Sequence, residues 1–158
     1  MGVGRTFGEA FVKSQLAASV KLPEGGTAFI SVKTEDKKHT VKLAKGLIDL
    51  GFKIIATRGT AAAIAAGGIE CTVVNKVLEG RPNIVDMLKN GEVQLVVNTV
   101  EERRSAINDS RYIRTTSLSS RVTIFTTMAG ALASVEGMKH LGAMDVYSVQ
   151  SLHAELSA

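Results

Sequence analysis

Five short apolar runs punctuate the chain, at Thr27 to Val32, Phe52 to Ala56, Ile69 to Val74, Val93 to Val97 and Val122 to Phe125. Each has the length of a buried strand and falls short of a helix. Between them, apolar residues recur at helical spacing. The clearest such segment is predicted from about Glu35 to Leu50, with Thr34 as N-cap, Glu35 and Asp36 in the first turn, and Val41, Ala44, Leu47 and Ile48 on one face; Gly51 ends it. Further helices are predicted for the alanine-rich stretch Thr60 to Ala66, closed by Gly67 and Gly68, for about Ile84 to Asn90, closed by Gly91, for Ser105 to Leu118, and for about Thr127 to His140. A last short strand is predicted near Val146 to Val149. Strands separated by helices of this length need right-handed crossovers, which predicts an α/β fold with a parallel sheet between two helical layers.

Residues 1 to about 26 stand outside this alternation. Thr6 and Glu9 form a capping-box pattern that opens an amphipathic helix carrying Phe7, Phe11 and Leu16, and Pro23, Gly25 and Gly26 read as a linker to the domain that follows, residues 27–158. An exposed stripe of this kind invites association, either with another copy or with neighbouring chain. The start, Gly2-Val3-Gly4-Arg5-Thr6-Phe7-Gly8, lacks the glycine spacing and the preceding strand of a dinucleotide fingerprint. With 158 residues and 45% hydrophobic composition, the chain suffices for one sizeable core. No apolar run approaches the roughly 18 to 20 residues that span a bilayer, and no signal segment opens the chain, so no membrane role and a cytoplasmic location are expected. The single Cys71 falls in the third apolar run and is expected to be a small buried thiol.

Candidate chemistry collects where the runs end. Ser31, Thr57 with Thr60, Asn75 with Lys76, Asn98 with Thr99, and Thr126 with Thr127 follow successive strands, and Lys37 lies on the next helix; nearly all are hydrogen-bond donors. In an open parallel sheet these ends line one edge, where ligands bind. The turn Ala56-Thr57-Arg58-Gly59-Thr60 also opens a helix, so unpaired N–H groups and partial positive charge point out of it while Gly59 admits close approach. A phosphorylated small molecule is the natural guest. Each residue also has a plain structural role: Thr60 as N-cap, Ser31 or Thr126 as caps, Asn75 and Asn98 in turns, the lysines in solvent. The net charge of +4 favours anionic partners in general. Arg103, Arg104, Arg111, Arg114 and Arg121 could suggest nucleic acid, but with no Trp, two Tyr and five Phe the chain lacks a stacking platform, and no nucleic-acid role is expected. By sequence spacing, His39, His140 and His153 match no carboxylate or cysteine, and metal-ligand spacing is absent, so no catalytic residue and no metal are expected. Asp86 and Asp109 are the only acids near the strand ends that could act as a base, and a solvated or capping role is the default for both.

The stretches Gly26 to Val32, Ala56 to Thr60, Asn75-Lys76-Val77-Leu78-Glu79-Gly80-Arg81-Pro82, Ile107-Asn108-Asp109-Ser110-Arg111 and Ser148 to His153, in this order, resemble the C-terminal allosteric domain of the large subunit of glutamine-hydrolysing carbamoyl phosphate synthase. The resemblance covers nearly the whole chain, and residues 1 to 20 resemble the segment that joins this domain to the second ATP-grasp half. It implies a five-stranded, mostly parallel, flavodoxin-like sheet of the methylglyoxal-synthase type and an effector site for nucleotides such as UMP and IMP. That site would comprise Ser31, Lys37, Thr57, Arg58, Gly59, Thr60, Lys76, Asn98 and Thr99, with Lys37, Thr57 and Thr60 on the phosphate and Lys76, Asn98 and Thr99 toward ribose or base. The implied partners are the other large-subunit domains and the glutaminase small subunit; the parent would use ATP and Mg, and this segment no cofactor. Val100 stands where bacterial members carry a second threonine after Asn-Thr, and Ile124-Phe125-Thr126 where they carry Tyr-Asp-Thr, which predicts weak or no ornithine binding. The enzyme alternative is a stand-alone member of the methylglyoxal synthase superfamily acting on a small phosphorylated substrate. Ile107-Asn108-Asp109 stands where those enzymes carry Pro-His-Asp, so the imidazole is missing.

Overall fold

The computed structural model describes residues 1–101, 104–142 and 145–156. Its strands are β1 (Gly26–Ser31), β2 (Phe52–Ala56), β3 (Thr72–Val73), β4 (Leu95–Asn98) and β5 (Thr123–Phe125), joined in one sheet of order β3-β2-β1-β4-β5 in which every pairing is parallel. The α/β class, the five strands and the parallel sheet expected from the sequence are present. In detail the order differs from the flavodoxin-like 2-1-3-4-5: the chain reverses direction across the sheet between β1 and β4, and a crevice opens at that switch point.

Strict alternation along the central strands divides the core in two. Ala28 and Ile30 of β1, Ile54 and Ala56 of β2, and Leu95 and Val97 of β4 pack into one cluster; Phe29, Ile55 and Val96 pack into the other. The first cluster is covered by α1 (Phe7–Ala17), α2 (Thr40–Asp49), α3 (Arg58–Ala65) and α6 (Met128–Met138) through Val12, Leu43, Leu47, Ile64 and Val135. The second is covered by α4 (Ile84–Lys89) and α5 (Arg104–Ser119) through Ile84, Leu88 and Ile113. A final helix, α7 (Val149–Leu156), follows. Strands buried on both faces read as continuous apolar runs, which is why the sequence located them.

Four expectations are corrected. The segment Glu35 to Leu50 is a 3-10 turn, Thr34–His39, followed by α2. Thr34 does not cap it, because its N–H and hydroxyl both donate to Glu101 Oε1, and Thr40 Oγ1 instead donates to Lys37 O at the junction. The strand expected at Ile69 to Val74 shrinks to Thr72–Val73, since this edge strand meets only β2, through Ile55 and Ala56. Cys71 accordingly lies outside it and is half-buried; burial still pushes its thiol up. The strand expected near Val146 to Val149 is absent: Val146 and Val149 are exposed, and Ser148 Oγ accepts from Ser151 N–H to start α7. Finally, Thr57 rather than Thr60 is the N-cap residue of α3.

The first helix packs directly on α6. Gly8 and Gly137 make the crossing possible: a Cβ on Gly8 would lie 3.1 Å from Glu136 O, and one on Gly137 would lie 3.1 Å from Val12 Cβ. Its buried face is Gly8, Glu9 and Val12, so the Phe7 and Leu16 stripe points away, with Phe7 71% exposed. Glu9 holds this end together: Lys13 Nζ donates to its Oε1 at 2.6 Å and Arg5 N–H to its Oε2 at 2.8 Å, while Lys13 also reaches Asp145 O. The Lys13 bond, aided by Arg5, holds the Glu9 carboxyl down to about 2 from the ordinary 4.5. A carboxyl lowered in the folded state adds stability above the unfolded value and loses it as pH falls through the folded one. Glu9→Gln is therefore expected to be less stable than the parent at neutral pH, with the difference shrinking between about pH 4.5 and about pH 2. Urea unfolding midpoints of both proteins across that range check this.

Candidate functional site

Each strand end delivers its polar residue through the same local geometry: the apolar strand stops, the chain turns, and the next helix begins. β1 ends at Ser31, and the 3-10 turn that follows carries Lys37 back over the β2–α3 turn. A methyl group placed on Gly59 would lie 3.5 Å from Lys37 Nζ, so the ammonium stands directly above the first turn of α3. Thr57 makes no side-chain cap bond to that helix. Its hydroxyl, on a residue only 3% exposed, lies 3.4 Å from Ser31 Oγ and 3.3 Å from Thr60 Oγ1. Thr60 Oγ1 in turn accepts from Val32 N–H at 3.2 Å. A hydroxyl that accepts a backbone N–H keeps its own proton to donate, so Thr60 is both structural and available. Arg58 is exposed and contributes its backbone position.

On the other side of Ser31, the end of β4 supplies Asn98 and Thr99. Asn98 Nδ2 donates to Ser110 Oγ at 3.0 Å, and Thr99 Oγ1 accepts from Lys33 N–H at 3.0 Å. Ser31, Lys76, Asn98 and Thr99 line one cavity of about 50 Å³, together with Asp109 and Ser110 of α5. Eight of the nine residues singled out from the sequence thus fall into two adjoining groups that share Ser31: Lys37, Thr57, Gly59 and Thr60 at the start of α3, and Lys76, Asn98 and Thr99 against α5. A larger groove of about 440 Å³ runs on along α5 past Ile107, Arg111, Arg114 and Leu118. Arg103 and the Arg104 side chain lie outside the described residues.

The two acids part company. Asp86 is a cap: Asn83 N–H donates to its Oδ2, and Asn83 Oδ1 accepts from Val85 and Asp86 N–H. Asp109 lies inside α5 and is half-buried. Its Oδ1 is buried without a hydrogen-bond partner among the described residues. Burial pushes its carboxyl above the ordinary 3.8; Lys76 pulls the other way, Glu79 adds to the rise, and the Leu78 N–H favours the charged form. Sequence reasoning named Asp109 and assigned it a bland role. The available signal was helical spacing, since Ala106, Asp109, Ser110 and Ile113 share one face of α5 and all line the cavity. Among the described residues no group of three or more His, Cys, Asp or Glu could hold a metal ion, and no helix is long and apolar enough to cross a membrane.

Comparison with known proteins gives this arrangement a family. The MGS-like domain family matches residues 39–126, which span β2, the start of α3, β4 and α5. Proteins named carbamoyl phosphate synthase large chain are similar over almost all of this chain: 61% identical in Ralstonia nicotianae over 99% of it, 51% in Pseudomonas syringae pv. tomato over 100%, and 49% in Xanthomonas campestris pv. campestris over 100%. The chain spans only 14% to 15% of the length of these relatives. It belongs to the MGS-like domain family, and within that family it is the counterpart of the MGS-like segment of carbamoyl phosphate synthase large chains.

Proposed function

We propose that this domain is a regulatory nucleotide-binding module of a carbamoyl phosphate synthase large chain, taking UMP- or IMP-type effectors by their phosphate. The observation that carries the reading is the Lys37 ammonium above the uncapped first turn of α3, with the Thr57, Thr60 and Ser31 hydroxyls gathered beneath it. Helix N–H groups, hydroxyls and an ammonium around one point are an anion site. The phosphate sits over α3, the sugar crosses Ser31 toward Lys76, Asn98 and Thr99, and the base lies outward along α5. In this reading residues 1–26 connect the module to a preceding ATP-grasp domain, residues 27–158 form the regulatory domain, and the parent binds ATP and Mg on its other domains and works with a glutaminase subunit in the cytoplasm. Effector binding then tunes ATP- and glutamine-dependent carbamoyl phosphate synthesis for pyrimidine and arginine production. The module itself turns over no substrate: Asn108, in the place of an imidazole, is exposed and offers no proton to transfer. Ile124 and Phe125 give an ornithine amino group nothing to bind.

The outward Phe7 and Leu16, with Phe11 half-buried against the Phe7 ring, form the surface by which the module docks on its parent or on a second copy. The isolated chain is expected to self-associate, and Phe7→Ser with Leu16→Ser to lessen that association, as sedimentation velocity would show.

Three substitutions test the phosphate reading. Thr57→Ala and Lys37→Ala each remove a charge-assisted bond worth roughly 1.5 to 3 kcal/mol, so each should weaken UMP and IMP binding by about 10-fold to 150-fold in calorimetric titration. Thr116→Ala, on α5 away from this turn, should leave affinity unchanged. Full affinity in folded Thr57→Ala and Lys37→Ala proteins would remove the phosphate from this turn.

Gly59→Ala separates stability from binding. Its methyl would meet Lys37 Nζ at an ordinary contact distance, and alanine is the better helix former by up to about 1 kcal/mol. The variant should melt no lower than the parent, yet bind UMP roughly 10-fold more weakly, because the methyl occupies the approach to the helix N–H groups. Thermal melts with and without UMP read both effects.

A further inference from the structure

The cavity beside Ser31 holds a group that a phosphate site does not explain. A site for an anion gathers positive charge and donors, yet Asp109 places a carboxylate on the cavity wall beside Lys76, Asn98 and Ser110. Its Oδ1 is buried and accepts no hydrogen bond from any described residue. The hydrogen bonds around it run elsewhere: Asn98 Nδ2 donates to Ser110 Oγ, and Thr99 Oγ1 accepts from Lys33 N–H. A buried acceptor left without a donor costs free energy, more so when it is charged, so it marks a place where something else donates. A second phosphate cannot be that group, since it brings only acceptors and like charge. A hydroxyl can.

We propose that Asp109 is the specificity-determining residue of the cleft, accepting a hydrogen bond from a sugar hydroxyl of the bound ligand, so that the site selects a phosphate monoester carrying a free diol and rejects one phosphorylated at that position. The inference rests on the phosphate reading above and deepens it. The spacing of the parts supports it. Lys37 and the start of α3 take the phosphate on one side of Ser31, the open groove along α5 lies on the other, and Asp109 stands at the cavity between them. Whatever joins a phosphate to a base therefore passes Asp109, and in a nucleotide that is the sugar. Burial raises the Asp109 carboxyl, while Lys76 and the Leu78 N–H favour the charged form that accepts a hydrogen bond.

The test uses four probes on the whole chain: inorganic phosphate, UMP, 2′,3′-dideoxy-UMP and uridine 3′,5′-bisphosphate, each titrated calorimetrically into the parent protein, Asp109→Ala and the near-isosteric Asp109→Asn. In the parent, removing the diol should weaken binding roughly 10-fold or more, the effect of losing a hydrogen bond to a charged group. The bisphosphate should bind at least as poorly. In Asp109→Ala the diol should matter by less than about twofold, with phosphate affinity unchanged or tighter because a negative charge has gone. Asp109→Asn should recover affinity for the bisphosphate relative to the parent. If the parent does not distinguish UMP from the dideoxy analogue, or if the distinction survives in both variants, Asp109 does not read the diol even though phosphate binds. If neither phosphate nor UMP binds the parent at all, the phosphate reading fails and this inference with it.

Discussion

Everything at the C-terminal edge of the sheet depends on how the end of β1 is sealed. The central strand runs out between β2 and β4, and its last backbone groups would be stranded in a crevice without partners. They are met one by one. Thr57 N–H donates to Ile30 O, Thr99 N–H to Ser31 O, and the N–H groups of Val32 and Lys33 go to the hydroxyls of Thr60 and Thr99. Threonine suits this task because its hydroxyl accepts from a backbone group and still donates outward. The hydroxyls that let the sheet end therefore each keep a proton to donate, so stability and hydrogen-bonding capacity are not separable at these positions.

The site carries both signs of charge, and their placement decides what can enter. Lys37 stands over a helix start that is already electropositive, a setting with no counter-charge cost for an anion. Lys76 stands instead beside Asp109, and Glu79 is close by. An anion placed there would trade one attraction for two repulsions. The cleft is thus polarised along its length, electropositive over the start of α3 and of mixed charge beside Asp109.

Away from the site, the first helix is held by two different means. Glycines at the α1–α6 crossing bring the backbones close enough for Val12 to enter the main core, and the Glu9–Lys13–Arg5 network closes the outer end. A carboxylate this shielded stays charged only because its bonds replace the water it lost. The helix that the sequence sets outside the strand and helix alternation is packed on α6, while its remaining apolar face, Phe7 and Leu16, is left outward.

The amino-acid sequence by itself determined the class of fold, the central strands, most helices and the seven polar side chains gathered at the strand ends, because each of these is a local matter. A doubly buried strand is a continuous apolar run, a helix end is a glycine or a threonine, and a strand end in a parallel sheet must face the ligand edge. Only the tertiary structure decided what depended on partners distant in sequence. Thr34 reads as a cap until Glu101, far along the chain, takes its hydroxyl and the turn becomes 3-10. The third strand is cut to two residues because an edge strand forms only where β2 reaches it. Val146 to Val149 has the composition of a strand but no neighbour to pair with, and Ser148 turns it into a helix start. Asp109 is an ordinary surface aspartate by sequence, and becomes a buried acceptor only when α5 lays it against Asn98 and Lys76; burial is a property of what covers a residue, which periodicity suggests and packing alone fixes.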